Sequence, residues 1–480
     1  MAADQEVSLL GAEPAQLPAY AEQLQAGGHR AGVHAIPFTD PGAVAARGAL
    51  FTPDPALGLW SRWRWSQGPA SFSIIGQTHT LASTAALGHL DALGTDPLGP
   101  WDALICSSSA GQTVAQQLLE ARLEQLASRF GLDPDQARLQ SPQLPVIPLP
   151  IDVQTLQAAL PQRALARQQL GLPPQAGVLL WIGRLSLLTK LDPWPQYQML
   201  ERLARQLPFP LVLLELGPDD TDQQADHLAQ LRALCPHVQF RQLGGGAPAT
   251  EQQKHQALAA ADLALSLVDN IQETFGLAVA EAMAAGLPVV ASDWDGYRDS
   301  VRHGVDGFLL PTRWASTATA LSPGLGWLHQ LGVVPYTVFA GAMAQLVQVD
   351  MQAAAAAITL LLQDPLLRRR MGAAAAGRAA ERFDRPRVAR AYQDLFATLH
   401  QARLAAIATA PAVPRVAWRQ IDPVALFDRF ACGTATPASS GELPPPMVLH
   451  GRQGLWNILR MAIPPSQHAQ LELDLFAKHR

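Results

Sequence analysis

The sequence predicts an α/β protein in which parallel sheets carry helices on both faces. Three observations predict it. From Gly177 to Leu310, short apolar runs alternate with helical segments. The runs are continuous rather than alternating, as in strands buried on both faces. Hydrophobic residues make up 48% of the 480 positions and charged residues 16%, enough apolar material for large cores.

The elements follow in order. Gln16–Ala26 has a helical pattern, and the chain opens on a polar stretch read as helical, with no glycine-rich loop after a first strand. Strands are expected at Gly32–Phe38, Ala49–Thr52, Phe72–Ile75 and Ala103–Cys106. Thr113–Phe130 reads as a long helix with Gly131 as its stop. Leu144–Asp152 is apolar and proline-rich, which makes a stiff extended crossing between domains. Strands are then expected at Val178–Ile182, Leu211–Leu214, Val238–Phe240, Leu263–Val268, Pro288–Ala291 and Gly307–Leu310. Helices are expected between them at Pro193–Gln206, Asp222–Leu234, Glu251–Ala260 and Phe275–Ala285. Residues 314–348 read as an irregular insertion. Helices follow at Asp350–Gln363, Pro365–Arg382 and Pro386–Leu404, then a tail of proline, glycine and small residues with short helices near Pro423–Phe430 and Gln467–Lys478.

Charge and cysteine content narrow the function. The net charge of −5 speaks against general nucleic-acid binding, which needs a basic surface. Cys106, Cys235 and Cys432 are far apart and form no C-x-x-C, so neither a disulfide scaffold nor a zinc cluster is expected and a reducing compartment fits. The opening MAADQEVSLLGAEP has no basic n-region and no apolar h-region, so no secretion signal is expected. No run of 18 or more apolar residues suggests a transmembrane helix. Among 35 basic residues only Lys190, Lys254 and Lys478 are lysine.

Ligands of parallel sheets bind at the carboxyl ends of the strands. Two such ends carry chemistry here. After the strand in LLWIGRLSLLTKLDP, Gly183 permits a tight turn, and Arg184 and Lys190 follow. Two fixed cations without a metal motif suit a diphosphate, although solvated surface cations would look the same. In DNIQETFGLAVAEAMAAG, Glu273 falls in a strand-to-helix loop and Glu281 about two turns into the helix. Thr274, Phe275, Gly276 and Leu277 would supply the first unbonded amides of that helix, which favour phosphate. A carboxylate at such a mouth accepts sugar hydroxyls, and two surface glutamates at this spacing are the plainer alternative.

These segments resemble the group 1 (family 4) glycosyltransferases. The residues that carry the resemblance are the pair Glu273 and Glu281 with TFGL between, GRL-x4-K at Gly183–Lys190, AADLALSLVDN at 260–270, GLPVVASDWDG at 286–296 and HGVDGFLLP at 303–311. DPLLRRRMG at 364–372 and ERFDRPRVARAYQDL at 381–395 extend it, so that it covers roughly 144–402. The resemblance implies a GT-B fold, with two Rossmann-like domains facing a cleft. The expected division is an acceptor-side domain at 1–150, shortened at its start, a nucleotide-sugar domain at 151–385, a closing helix at 386–404 and the tail at 405–480. It implies a nucleotide-sugar donor of UDP or GDP type, a glycan or lipid-linked acceptor, transfer with retention, no further cofactor and no bound metal. Arg184 and Lys190 would bind the diphosphate, Glu273 the sugar, Glu281 the ribose, and the 274–277 amides the phosphate and sugar. SIIGQTHTLAS at 73–83 is similar to the family segment with an active-site histidine, here His79; a histidine packed at a strand end is the alternative. The missing glycine-rich loop, which approaches the donor phosphates in the family, suggests a truncated start or a lost strand. A non-catalytic relative that binds nucleotide sugar or a partner enzyme is therefore the alternative function.

Other motifs carry less. Asp293-Trp-Asp295 is read as turn chemistry rather than a metal site. Trp60, Arg62, Trp63, Arg64 and Trp65 are read as loop packing before acceptor stacking or a lipid contact. The arginines at 368–390 are read as a solvated helix face, with attraction to anionic lipid as the lesser reading. A dehydrogenase needs G-x-G-x-x-G after a strand, which Gly244–Gly246 and Gly324-x-Gly326 do not complete. The expected place is the cytoplasm, with peripheral contact at the cytoplasmic face of the membrane as an extension.

Overall fold

The computed structural model describes residues 6–133 and 140–409, together with Phe430, Ala462 and 465–469. Two compact units divide the chain, the first within 1–50, 59–73 and 403–480, the second within 51–58 and 74–402.

In the first unit, Val7–Leu10 (β1) pairs in parallel with Val33–Ile36 (β2) across the helix Leu17–Ala26 (α1). This corrects the sequence expectation, which placed no strand before Gln16. The strand is only four residues long and half-buried along its length, too short and too mixed to show a period. Gly11 ends it at φ +74°, with the Phe38 ring 2.1 Å from where a Cβ would stand. Pro41–Arg47 (α2) is capped by Asp40, which accepts the Ala43 amide at 2.9 Å. Ala49–Phe51 (β3) and Leu57–Arg64 (α3) then cross the boundary between the units. The tryptophan cluster packs: Trp63 donates to the Phe38 carbonyl at 2.9 Å and sets its ring edge-on against Trp60 and Phe72. The Arg64 side chain is fully buried and donates to the Phe72 carbonyl at 2.6 Å.

The second unit holds two parallel sheets. In the smaller, Ser73–Gln77 (β4) pairs with Ala103–Ile105 (β5) in the register Ile75↔Ala103. Thr84–Ala92 (α4) and Ser109–Phe130 (α5) follow these strands. Ser108 caps α5 through the Gly111 amide, and Gly131 at φ +66° ends it, at the expected stop. The proline-rich run continues the sheet edge: Cys106 donates to the Pro145 carbonyl at 2.9 Å and Ile147 to the Cys106 carbonyl at 3.0 Å. After Val153–Ala159 (α6) and Arg163–Gln169 (α7), strands and helices alternate. They are Gly177–Ile182 (β6), Pro193–Ala204 (α8), Leu211–Pro218 (β7), Asp222–Ala233 (α9), Val238–Gly245 (β8), Glu251–Ala260 (α10), Leu263–Ser266 (β9), Leu277–Ala284 (α11), Val289–Ser292 (β10), Tyr297–Ser300 (α12) and Gly307–Leu310 (β11). The sheet order is β11-β10-β9-β6-β7-β8, all parallel. The chain leaves β6 toward β7 and β8, then returns to the other side of β6 with β9. The order therefore reverses between β6 and β9, where ligands of such sheets bind.

Residues 314–348 are not irregular. Thr312–Trp314 (β12) pairs antiparallel with Val347–Val349 (β13), and between them lie Ala318–Gln330 (α13) and Tyr336–Ala344 (α14). Pro323 inside α13, four glycines and the absence of any Asp, Glu, Lys or Arg from 314 to 349 hide the polar face that reveals a helix. Met351–Gln363 (α15), Pro365–Arg382 (α16) and Arg385–Thr409 (α17) follow, and a short 3-10 turn is described at Pro465–Gln467. Val388, Leu395 and Leu399 of α17 pack on Ile75, Ala103 and Ile105 of the smaller sheet. The tail helices expected near Pro423–Phe430 and Gln467–Lys478 lie almost wholly outside the described residues, as does Cys432.

At the amino-terminal edge of the large sheet, Asp262 is buried among three guanidinium groups. It pairs with Arg163, with Arg167 at 2.8 Å and with Arg368 at 3.4 Å, and accepts the Val178 amide at 2.8 Å. Of the late arginines, then, Arg368 faces inward, Arg378 donates to the Asp299 carbonyl at 3.0 Å and Arg385 pairs with Asp152 at 3.2 Å. Arg368 and Arg378 are partly buried, whereas Arg369, Arg370, Arg385, Arg387 and Arg390 are exposed and do form a solvated face.

Candidate functional site

A cavity of about 420 Å³ in the second unit opens where the strand order reverses. Ile182, Gly183, Arg184 and Lys190 line it after β6; Glu273, Gly276, Leu277 and Glu281 line it after β9; His79 and Ser107 line it from the smaller sheet. Every residue the sequence proposed for the site is on its wall: Gly183, Arg184, Lys190, His79, Glu273, Thr274, Phe275, Gly276, Leu277 and Glu281.

The cations sit in a folded loop. Arg184 pairs with Asp220 at 3.3 Å and donates to the Thr189 hydroxyl at 2.9 Å, leaving it half in solvent. Lys190 reaches the Glu273 carboxylate at 3.5 Å. Glu273 also accepts the amides of Thr274 at 3.3 Å and Gly276 at 3.1 Å. The sequence reading took both amides as unbonded; the neighbouring carboxylate occupies them, as a side chain occupies orphan donors at a helix start. The helix begins at Leu277, one residue after Gly276, which sits at φ +86° and offers no side-chain cap. The first-turn residues Leu277 and Ala278 line the cavity, so the dipole end of α11 faces it. Phe275 turns its ring into the core against Phe383, at 5.6 Å between centroids, so its backbone is what it offers the cavity.

Three residues that sequence reasoning did not place hold this arrangement. Lys254 of α10 reaches Glu281 at 3.1 Å, while also meeting Glu251 at 3.1 Å. Burial pulls its ammonium down, but the two carboxylates more than offset this and hold its pKa above the ordinary lysine range. Two of the three lysines in the chain thus each neutralise one of the two glutamates. The rarity of lysine was the available signal. Tyr297 is buried under Gly276, with its hydroxyl 2.8 Å from Ser266 Oγ and donating to Glu273 at 3.4 Å. Asp295, at φ +43°, accepts the Ser108 hydroxyl at 3.1 Å. Burial pushes its carboxyl up to about 7, and the negative charges of Glu273 and Asp299 add to the rise.

Asp293 of the Asp-Trp-Asp turn pairs with Arg298 at 2.8 Å, so the two carboxylates of that motif have separate partners. Among the described residues no cluster of three or more His, Cys, Asp or Glu is placed to hold a metal ion. His79 is exposed at the cavity rather than packed, and its carbonyl accepts the Thr274 hydroxyl at 2.7 Å. No helix of the described residues is long and apolar enough to cross a membrane.

Residues 177–323 match the family described as Glycosyl transferases group 1. The D-inositol 3-phosphate glycosyltransferase of Mycobacterium sp. (strain KMS) is 30% identical over 275 residues, 55% of this chain and 56% of the relative. The protein of the same name from Thermobispora bispora is 33% identical over 166 residues, 33% of this chain and 38% of the relative. The matches span about a third to three fifths of the length of the curated relatives. In fold it is similar to the crystal structure of a glycosyltransferase from Rickettsia africae ESF-5, with a TM-score of 0.51 at 11% identity over 82% of this chain and 97% of that one. The matched segment runs from β6 into α13 and carries both strand ends of the cavity. The chain thus contains, at residues 177–323, a domain of the glycosyl transferases group 1 family.

Proposed function

We propose that the second unit is the catalytic unit of a glycosyltransferase that moves a sugar from a nucleotide-sugar donor to a hydroxyl acceptor with retention at the anomeric carbon. The observation that carries this reading is the gathering, at the reversal of strand order, of two cations, a helix amino-terminus and two glutamates around one cavity.

Each group then has a chemical task. Departure of a nucleoside diphosphate places negative charge on the oxygen that leaves the anomeric carbon. Arg184, Lys190 and the first turn of α11 meet that charge where it develops. Their positive charge is why we read the step as metal-independent. Lys190 exchanges its contact with Glu273 for the diphosphate, which frees Glu273 for sugar hydroxyls. Glu281, held by Lys254, takes the ribose hydroxyls. The acceptor hydroxyl attacks the face from which the phosphate leaves. One carbon–oxygen bond forms as the other breaks, and the acceptor's proton passes to the departing phosphate. His79 stands on the acceptor side.

The relatives' activity makes a phosphorylated polyol the first acceptor class to try, beside free and lipid-linked glycans. The buried free thiols of Cys106 and Cys235 support a place in the reducing cytoplasm. Thermal shift with UDP, GDP, ADP and their sugar conjugates tests the site, with Arg184→Ala as control. A ligand at 100 times its Kd stabilises by about 2.7 kcal/mol. A shift with one nucleotide that Arg184→Ala abolishes supports the site, and no shift with any of them overturns it. NMR of the product's anomeric proton decides retention. Turnover that survives Glu273→Ala refutes that residue's role, and binding without turnover favours a non-catalytic nucleotide-sugar binder.

A further inference from the structure

We propose that Tyr336, carried by the helices inserted between β12 and β13, is a positioning residue that sets the spacing between the loop bearing His79 and the loop bearing Glu273. The inference rests on the transferase reading of the cavity. It goes beyond it, because Tyr336 lies outside the 177–323 family match and does not line the cavity.

The Tyr336 hydroxyl joins two chain segments that are remote in sequence. It lies 3.2 Å from Thr80 Oγ1 and donates to the Gln272 side-chain carbonyl at 3.4 Å. Thr80 follows His79, and Gln272 precedes Glu273. A phenol that donates to Gln272 has a lone pair left to accept the Thr80 hydroxyl. Burial raises the Tyr336 pKa above its ordinary value, against the Thr80 bond and the Arg184 charge, so the hydroxyl keeps its proton at neutral pH.

The same insertion holds the start of α4 and the loop after β9 at two further points. His329 Nδ1 lies 3.1 Å from the Val334 carbonyl, a bond that needs the proton on Nδ1 and leaves Nε2 to accept the Thr84 hydroxyl at 2.9 Å. Its ring stacks on Phe339 at 4.6 Å, which fixes its direction. Asn270 donates through Nδ2 to the carbonyls of Leu188, at 2.8 Å, and Ala340, at 3.4 Å. Leu188 lies between Arg184 and Lys190, and a Cβ at Gly341 would stand 2.8 Å from its side chain. One inserted element therefore touches the three loops that supply His79, the cations and Glu273. Its influence on the reaction is geometric, since a misplacement of about 1 Å costs on the order of 100-fold in rate.

Tyr336→Phe removes the hydroxyl and keeps the ring, and Thr80→Val removes the other end of the same bond. Hydrogen exchange of the full chain without ligand reads the clamp directly. Both variants are expected to speed amide exchange at 78–84 and at 270–276, by roughly 2- to 12-fold for one neutral hydrogen bond, with the β6 and β7 amides unchanged. In turnover, kcat is expected to fall about 10-fold while the Kd of UDP, GDP or ADP, whichever binds wild type, stays within about twofold. The double variant should be no slower than the slower single variant. Unchanged exchange at 78–84 in Tyr336→Phe, or additive losses in the double variant, overturns the proposal. A wild type that transfers no sugar sinks the transferase reading alone, and the exchange result then decides the clamp.

Discussion

Gly276→Ala is the substitution whose cost the structure predicts most directly. The residue sits at φ +86°, just before the first turn of α11, and an added Cβ would lie 2.2 Å from Tyr297 Cε1 and 2.7 Å from Cδ1. The left-handed backbone alone costs an L-residue about 1–2 kcal/mol. The ring cannot swing aside cheaply, because Tyr297 is buried and its hydroxyl is held by Ser266 and Glu273. Forcing an extra methyl into such a packed place costs about 1–3 kcal/mol more. The expected loss is therefore roughly 2–5 kcal/mol, or a Tm lower by about 4–15 °C. Gly324→Ala is the matched control. It lies within α13 with nothing within 4 Å of a new Cβ, and alanine there should gain about 0.5–1 kcal/mol. Urea unfolding followed by tryptophan fluorescence compares the three proteins. If Gly276→Ala unfolds within about 0.5 kcal/mol of wild type, the reasoning about the Tyr297 contact and the αL turn is wrong.

Three further outcomes are expected. A carboxyl whose folded pKa is raised to about 7 from 3.8 contributes stability that is complete below about pH 4 and lost as the pH rises through 7. Asp295→Asn keeps the neutral form, so its stability relative to wild type should rise by ~2–3 kcal/mol between pH 5 and 8; parallel pH curves for the two proteins count against the raised pKa. Lys254→Met leaves Glu281 without the ammonium that holds it and, with Glu281 proposed at the ribose, should raise the Kd of the bare nucleoside and of the nucleoside diphosphate alike by about 10-fold; unchanged values for both would remove that role. Asp262→Ala strands three guanidinium groups and should cost about 3–5 kcal/mol in urea unfolding, and a cost below about 1 kcal/mol would show that they re-pair without it.

Some parts of the fold are legible in the sequence because one physical rule dominates them. The strands of the large sheet are buried on both faces, so Val178–Ile182 and Leu211–Leu214 stand out as apolar runs. Each observed strand contains or nearly matches its expected run, as in Gly177–Ile182 and Leu211–Pro218. The candidate residues follow from that reading, since local order puts Arg184 and Lys190 in the segment after β6, Glu273 in the loop after β9 and Glu281 in the helix that follows it. Val7–Leu10 escaped because four half-buried residues carry no period, and its pairing with Val33–Ile36 depends on a contact across α1. The helices within 314–349 escaped because a stretch without Asp, Glu, Lys or Arg shows no charged face. The roles of Lys254 and Tyr297 were not legible from local sequence. One comes from α10 and the other from the start of α12, and only packing of the whole unit brings them to the glutamates.

The Asp262 cluster also constrains how this chain can drift in sequence. Four side chains from three segments satisfy one another there, and the order in which they can change is not free. Arg163 is 44% exposed, so its loss returns little unpaired charge to the interior and is the cheap first step. Arg167 and Arg368, at 10% and 19%, can follow only with replacements that also serve the carbonyls of Ala260 and Leu361. Asp262 itself, at 4%, can go only after the guanidinium groups have gone. Relatives that replace Asp262 should therefore lack Arg167 and Arg368 as well, and a lineage that begins with the aspartate begins with an unfolding step.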